Sequence, residues 1–257
     1  MIRRTLPLAA LGLAVFAMAA GGDQPVATTV ADGPVVVELF TSEGCSSCPP
    51  ADALLGRLIG RRDVLPLAFH VDYWDYIGWK DPFGFPAATE RQHAYGHVLG
   101  LNMVYTPQMV IDGAHDAVGS DEGAVGKAIA DQAARPKLKL AVRRESTGAY
   151  KVRIPADPTQ KGSATVWLAL FDHAHKTPVA RGENAGQLLT EFNIVREWRK
   201  IGEWSGAETE IALNLTPESD EYDACAVLVQ LAGNGPIRGA AAFRMEKHGA
   251  GAPDGDN

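Results

Sequence analysis

Cysteine is scarce in this chain, with three among 257 residues. Two form Cys45-Ser46-Ser47-Cys48, and the third, Cys225, lies far away near the C-terminus. So small a set excludes a dense disulfide framework, which uses an even number of cysteines at wider spacings. No second Cys or His pair at ligand spacing accompanies the first, as a tetrahedral zinc site would require. Basic residues are also in the minority: 24 Lys and Arg stand against 31 Asp and Glu, a formal charge of −7. That balance argues against nucleic acid and anionic membrane surfaces as general partners. Long apolar runs are missing too, apart from Leu6 to Ala20, which is too short and too rich in alanine for a membrane span.

That run carries a message of its own. Arg3 and Arg4 precede it and Ala17 and Ala19 close it, the three-part pattern of an export signal, so residues 1–20 are expected to be a signal peptide cut near Ala20. Removing it takes away those two positive charges and moves the formal balance from −7 to −9, with no stable membrane insertion expected afterwards. A periplasmic or secreted location follows as an expectation. Residues 21–33 read as a flexible leader and residues 249–257 as a disordered tail. The whole chain, with 46% hydrophobic and 21% charged residues, can bury one large core or two ordinary ones.

Local patterns order the chain. Val35 to Phe40 is a β-branched apolar run and reads as a buried strand. Leu54, Leu55, Leu58 and Ile59 then recur at helical spacing, with Pro49 and Pro50 suited to the first turn of that helix. Val64 to Val71 reads as a strand and Pro86 to Leu99 as a helix closed by Gly100. Gln108 to Ile111, the Asp112-Gly113 turn and His115 to Val118 read as a hairpin, followed by a helix through Ala134 that Ser120 would cap. Between the second strand and second helix, residues 72–85 hold six of the chain's nineteen aromatics. Past Pro136 the period changes to two, with seven short strand candidates between Leu138 and Met245 separated by Gly, Pro and Asn turns. The fold class expected is an α/β domain over 34–135 followed by an all-β antiparallel, sandwich-like domain over 136–248.

The Cys pair falls at a strand-to-helix junction. A thiolate at a helix N-terminus is stabilised by backbone N–H groups and the helix dipole, which favours its reactive form at neutral pH. Cys45 is expected to be exposed and to attack, and Cys48 to resolve. Pro49 disfavours helical geometry at Cys48 and is expected to delay the start of the helix.

These strings also carry a resemblance. Val37-Glu38-Leu39-Phe40-Thr41, the Cys45–Cys48 pair and Tyr105-Thr106-Pro107 resemble thioredoxin: its acid-bearing strand, its redox pair and its cis-proline loop. With His70-Val71-Asp72-Tyr73-Trp74-Asp75, the chain is similar over nearly its whole mature length to an uncharacterised family of secreted bacterial thioredoxin-like proteins. The resemblance implies a thioredoxin-like fold for the first domain. It also implies a cis Pro107 holding Thr106 beside the disulfide, and Glu38 as a buried acid moving a proton to or from Cys48. The chain departs from thioredoxin in a loop one residue longer before Cys45 and in Gly44, where an aromatic residue is usual.

Other side chains weigh less. His70 is a candidate copper ligand with the two sulfurs, and His93 and His97 share a helix face, but a third ligand is not evident for the latter. Cys225 alternates with Val227 and Val229 and reads as a buried thiol. The polar loop Arg181 to Gly186 suggests no chemistry. The resulting expectation is a thiol-disulfide oxidoreductase with Cys45, Cys48, Thr106, Pro107 and Glu38 at its site, protein thiols or disulfides as partners and no cofactor, since the pair itself holds the electrons. The alternative is a binding module or copper-handling protein without exchange activity.

Overall fold

The computed structural model describes residues 28–30, 33–216, 219 and 221–245. The expected signal peptide and tail lie outside the described residues. Of the expected leader, Thr28–Val30 forms a strand, β1, that pairs antiparallel with Ala141–Ser146, β6.

The first half follows the order read from the sequence. Val35–Thr41 (β2) and Val64–His70 (β3) pair in parallel through the helix Pro49–Leu58 (α1), and Pro86–Val98 (α2) follows. Gln108–Ile111 (β4) and His115–Val118 (β5) form the hairpin. Its turn uses φ 50° at Asp112 and 63° at Gly113, the left-handed pair that suits strand twist. The helix Glu122–Ala133 (α3) is capped by Asp121, one residue later than expected, whose side chain accepts from Ala124 N at 2.9 Å.

The fold class differs from the expectation. An α/β domain followed by an all-β sandwich is not what forms: one mixed sheet of eight strands runs through both halves, in the order β12-β11-β8-β9-β3-β2-β4-β5. Here β8 is Ala164–Pro178, β9 Leu188–Trp204, β11 Ala224–Leu231 and β12 Ile237–Arg244. A second sheet of four strands, β1-β6-β7-β10, includes Ala149–Ile154 (β7) and Thr209–Asn214 (β10).

The joint is at β3. All seven of its residues are buried, and its outer edge pairs in parallel with β9 at Ala68 and Ile194. Left unpaired, that edge would bury backbone donors and acceptors without partners. Edge pairing leaves no mark in the side-chain period, so the switch of period at Pro136 resembled a boundary.

Packing follows from the single sheet. On one face, Phe40, Phe69 and Tyr95 of the first half share a core with Phe171, Val195 and Leu228 of the second. Each such side chain contributes about 1.5–3 kcal/mol on burial, so this shared cluster ties the halves together. The opposite face is divided. Val35, Val37 and Leu39 pack under α1 and α3, whereas Leu168, Leu170 and Val227 pack with the second sheet's Tyr150 and Val152. No described helix is long and apolar enough to cross a membrane.

Candidate functional site

The site begins where β2 ends. Cys45 N donates to Ser42 O at 3.1 Å and Cys48 N to Cys45 O at 3.1 Å, two consecutive turns that bring the cysteines together. They form a disulfide with Cα atoms 5.4 Å apart. Cys48 is the N-cap of α1 in helical geometry (φ −78°, ψ −36°), and α1 starts at Pro49, so the helix is not delayed as Pro49 had suggested. The bridge and the turn fix Cys48 against the pre-proline preference. Its carbonyl accepts from Ala51 N at 2.8 Å and Asp52 N at 3.2 Å.

Thr106 lies where expected. Its Oγ1 is 3.4 Å from Cys45 Sγ, the peptide bond to Pro107 is cis, and Trp74 Nε1 donates to Thr106 Oγ1 at 2.8 Å. Gly44 makes room for this arrangement: a Cβ there would stand 3.0 Å from Trp74 Cβ.

The expected exposure of Cys45 is not found, for it is 1% exposed and Cys48 0%. The cause is the tip of the long β8–β9 hairpin, the polar loop to which sequence assigned no chemistry. Asn184 Nδ2 donates to Glu43 O at 2.8 Å and to Cys45 O at 3.1 Å, while Ser46 Oγ donates to Glu183 Oε2 at 2.6 Å. Residues about 140 positions downstream thus close over the pair, and only the intervening Ser46 and Ser47 remain exposed.

Glu38 is the second correction. It shares a face of β2 with Val36 and Phe40, whereas α1 packs on the face of Val35, Val37 and Leu39. Arg91 grips it from α2, Nε donating to Oε1 at 2.5 Å and Nη2 to Oε2 at 3.1 Å, and Tyr95 Oη donates to the same carboxylate. Arg91 also reaches Gln230 Oε1 of β11 at 3.2 Å and lies 4.1 Å from the Trp198 ring centroid of β9. The carboxylate is committed to a network joining both halves, across the sheet from α1.

A different set of buried acids lies on the α1 side. Asp52, one helical turn after Cys48, points inward, and the register partners Thr41 and His70 end β2 and β3 beside it. His70 Nδ1 is 2.8 Å from Asp81 Oδ2, which also accepts from Glu43 N at 2.8 Å. Trp79 Nε1 donates to Glu43 Oε2 at 2.7 Å. Glu191 of β9 completes the set. His70 Nε2 and Glu191 Oε2 are buried with no hydrogen-bond partner.

The electrostatics follow from burial. Desolvation raises Asp52 to about 7 against the opposing pull of His70. Desolvation likewise raises Glu191 to about 8 and also raises Glu43. Burial works against a charged His70, but the adjacent Asp81 carboxylate outweighs it and lifts the ring to about 9; reciprocally, His70 holds Asp81 low despite burial. Of this set, sequence marked His70 as a copper candidate; the signal it missed is Asp52, a carboxylate among Ala51, Leu54, Leu55 and Leu58 on a helix otherwise apolar on its inner side. Asp81 and Glu191 had none.

The remaining candidates separate from the site. His93 and His97 are exposed on α2, and Cys225 is buried on β11 with its thiol pushed well up by burial. Among the described residues, no group of three His, Cys, Asp or Glu side chains is placed to hold a metal ion.

Fold and site together define a mixed-sheet protein with one buried Cys-x-x-Cys disulfide at a helix N-terminus. Residues 36–230 match the family described as a protein of unknown function, DUF1223, and the chain belongs to that family. It is also similar to the crystal structure of a protein from Agrobacterium tumefaciens, with 30% identity, 83% of this chain and 97% of that one covered, and a TM-score of 0.71. No curated protein matches the sequence.

Proposed function

We propose that this protein exchanges disulfides with protein thiols in an oxidising compartment outside the cytoplasm. The observation that carries the reading is the placement of the Cys45–Cys48 disulfide at the N-terminus of α1 with Thr106 Oγ1 3.4 Å from Cys45 Sγ. A partner thiolate attacks Cys45 Sγ, the bond to Cys48 breaks, and Cys48 leaves as a thiolate while a mixed disulfide forms at Cys45. A second thiolate of the partner then attacks the partner sulfur of the mixed disulfide, forming the partner's own disulfide and releasing Cys45 as a thiolate, so that the two electrons rest on Cys45 and Cys48. Attack by Cys48 instead reverses the first step and frees the partner unchanged. The half-buried Trp74, bonded to Thr106, and the 82% exposed Tyr76 stacked on it offer an aromatic rim to a partner chain. The electrons reside in the sulfur pair, so the exchange uses no cofactor.

The burial of both sulfurs favours a second reading, a static disulfide that braces the loop under Asn184. Glutathione equilibration separates the two. In buffers of graded glutathione poise, with the 45–48 bond followed by thiol labelling and mass, exchange requires a bond that titrates across the range. A bond intact at every poise supports the static reading. In cells, Cys48→Ser should accumulate mixed disulfides at Cys45, whereas Cys45→Ser should not; equal trapping by both removes the assigned roles.

A further inference from the structure

We propose that the buried acid cluster behind α1 is the proton store of the disulfide, with Asp52 handing a proton to Cys48 when the bond is reduced; this rests on the exchange reading above. The geometry carries the inference. Asp52 is four residues beyond Cys48 on one helix face, its backbone bonded to the Cys48 carbonyl, and its side chain is buried on the same side of the sheet. The groups facing Asp52 come from each element around it: His70 from β3, Glu43 from the loop after β2, Asp81 from the segment after β3 and Glu191 from β9. Four carboxylates against one imidazole ring cannot all ionise in a space closed to water, so the cluster holds protons. His70 Nε2 and Glu191 Oε2, both without partners, are free to take part in that sharing.

The step balances without further reagents beyond the attacking thiolate. Two electrons enter with that thiolate, the S–S bond breaks, and the negative charge appears on Cys48 Sγ at 0% exposure, where no solvent can stabilise it. A proton moves from the Asp52 carboxyl to that sulfur, leaving a neutral thiol and an Asp52 carboxylate facing His70. The direction follows from burial: a thiolate at Cys48 has no solvent to stabilise it, so the neutral thiol is favoured there, while the Asp52 carboxylate left behind faces His70. On reoxidation the proton returns. Glu38, which resemblance had put in this role, lies across the sheet with both oxygens engaged.

The test is made on the full mature chain in two parts. Infrared difference spectra, oxidised against phosphine-reduced, should show a protonated carboxyl band lost on reduction at pH 7, and Asp52→Asn should abolish that loss. Reduction by dithiothreitol should show an inflection near pH 7 in the parent protein. Asp52→Asn should erase the inflection and slow reduction by about a hundredfold, and Asp52→Glu should restore it. A wild-type spectrum with no carboxyl change, which needs no variant to fold, overturns the inference, as does an unaltered inflection in Asp52→Asn. A band lost with phosphine from a bond that glutathione never reduces would sink the exchange reading and leave the proton transfer standing.

Discussion

Two buried charge clusters lie on opposite faces of β2, and they are built on opposite plans. On the α2 face, Glu38 is held by Arg91 and Tyr95, and Arg91 is in turn bonded to Gln230, so cation, anion and amide meet with each charge answered. On the α1 face, Glu43, Asp52, Asp81 and Glu191 surround one imidazole ring, and Glu43 Oε1, His70 Nε2 and Glu191 Oε2 have no hydrogen-bond partner. The first arrangement fixes a structure, since removing either partner strands the other. The second stores free energy in unfavourable burial, and groups so placed change protonation near neutral pH.

Breaking the α2-face cluster should have the largest effect. Arg91→Ala leaves Glu38 buried without a cation and is expected to cost about 3–5 kcal/mol, the usual range for one half of a buried pair. Urea unfolding monitored by the Trp167 and Trp198 fluorescence checks this. A loss under about 1 kcal/mol, the scale of an exposed pair, would show that the network does not join the halves.

The α1-face cluster should respond to pH in a definite direction. Asp52 and Glu191 hold protons in the folded state to about 7 and 8, above their unfolded values of 3.8 and 4.5, so each increasingly opposes folding as pH rises through that interval. His70, lifted from 6.5 to about 9, contributes stability that is complete below 6.5 and disappears as pH rises through 9. All three groups act in one direction, and the midpoint of thermal unfolding should fall steadily between pH 6 and 9. Asp81, held low, loses its contribution only in acid. Asp52→Asn removes one ionisation and should flatten the decline, gaining about 1–2 kcal/mol at pH 8. A midpoint that is flat or rises over the interval would contradict the cluster's protonation.

How far this contrast was legible in sequence depends on what kind of contact made it. The hairpin at Asp112-Gly113, the strand at Val35 and the helix after Cys48 rest on neighbours in the chain, and all formed within a residue or two of their expected places. The single sheet rests on β3 meeting β9, more than a hundred residues apart, and backbone pairing of that kind leaves no side-chain signature. Glu38 shows the limit sharply. Its neighbours spelled a familiar string, but whether an alternating strand turns its even or its odd residues toward a given helix is settled by packing that the string does not contain. Asp52 was passed over although it is a carboxylate on an otherwise apolar helix face, and His70 was noticed only as a metal candidate; Asp81 and Glu191 left no signal, because they arrive from distant segments.

The smallest expected effect concerns the loop that reached the site from the same distance. Asn184 is fully buried and makes two hydrogen bonds to the carbonyls of Glu43 and Cys45, while its neighbour Glu183 is exposed and holds Ser46. Asn184→Ala deletes both carbonyl bonds and should cost about 1–2 kcal/mol of loop closure, at about 1 kcal/mol each. A change of that size multiplies the open population about 5- to 30-fold. If reductants reach Cys45 only when this loop lifts, the rate of disulfide reduction rises in the same proportion while opening remains fast. Glu183→Ala, which removes a solvent-facing contact, should raise it less. Stopped-flow reduction of the two variants measures the ratio directly, and a rate unchanged in Asn184→Ala would mean that thiols approach Cys45 by the Thr106 side with the loop still closed.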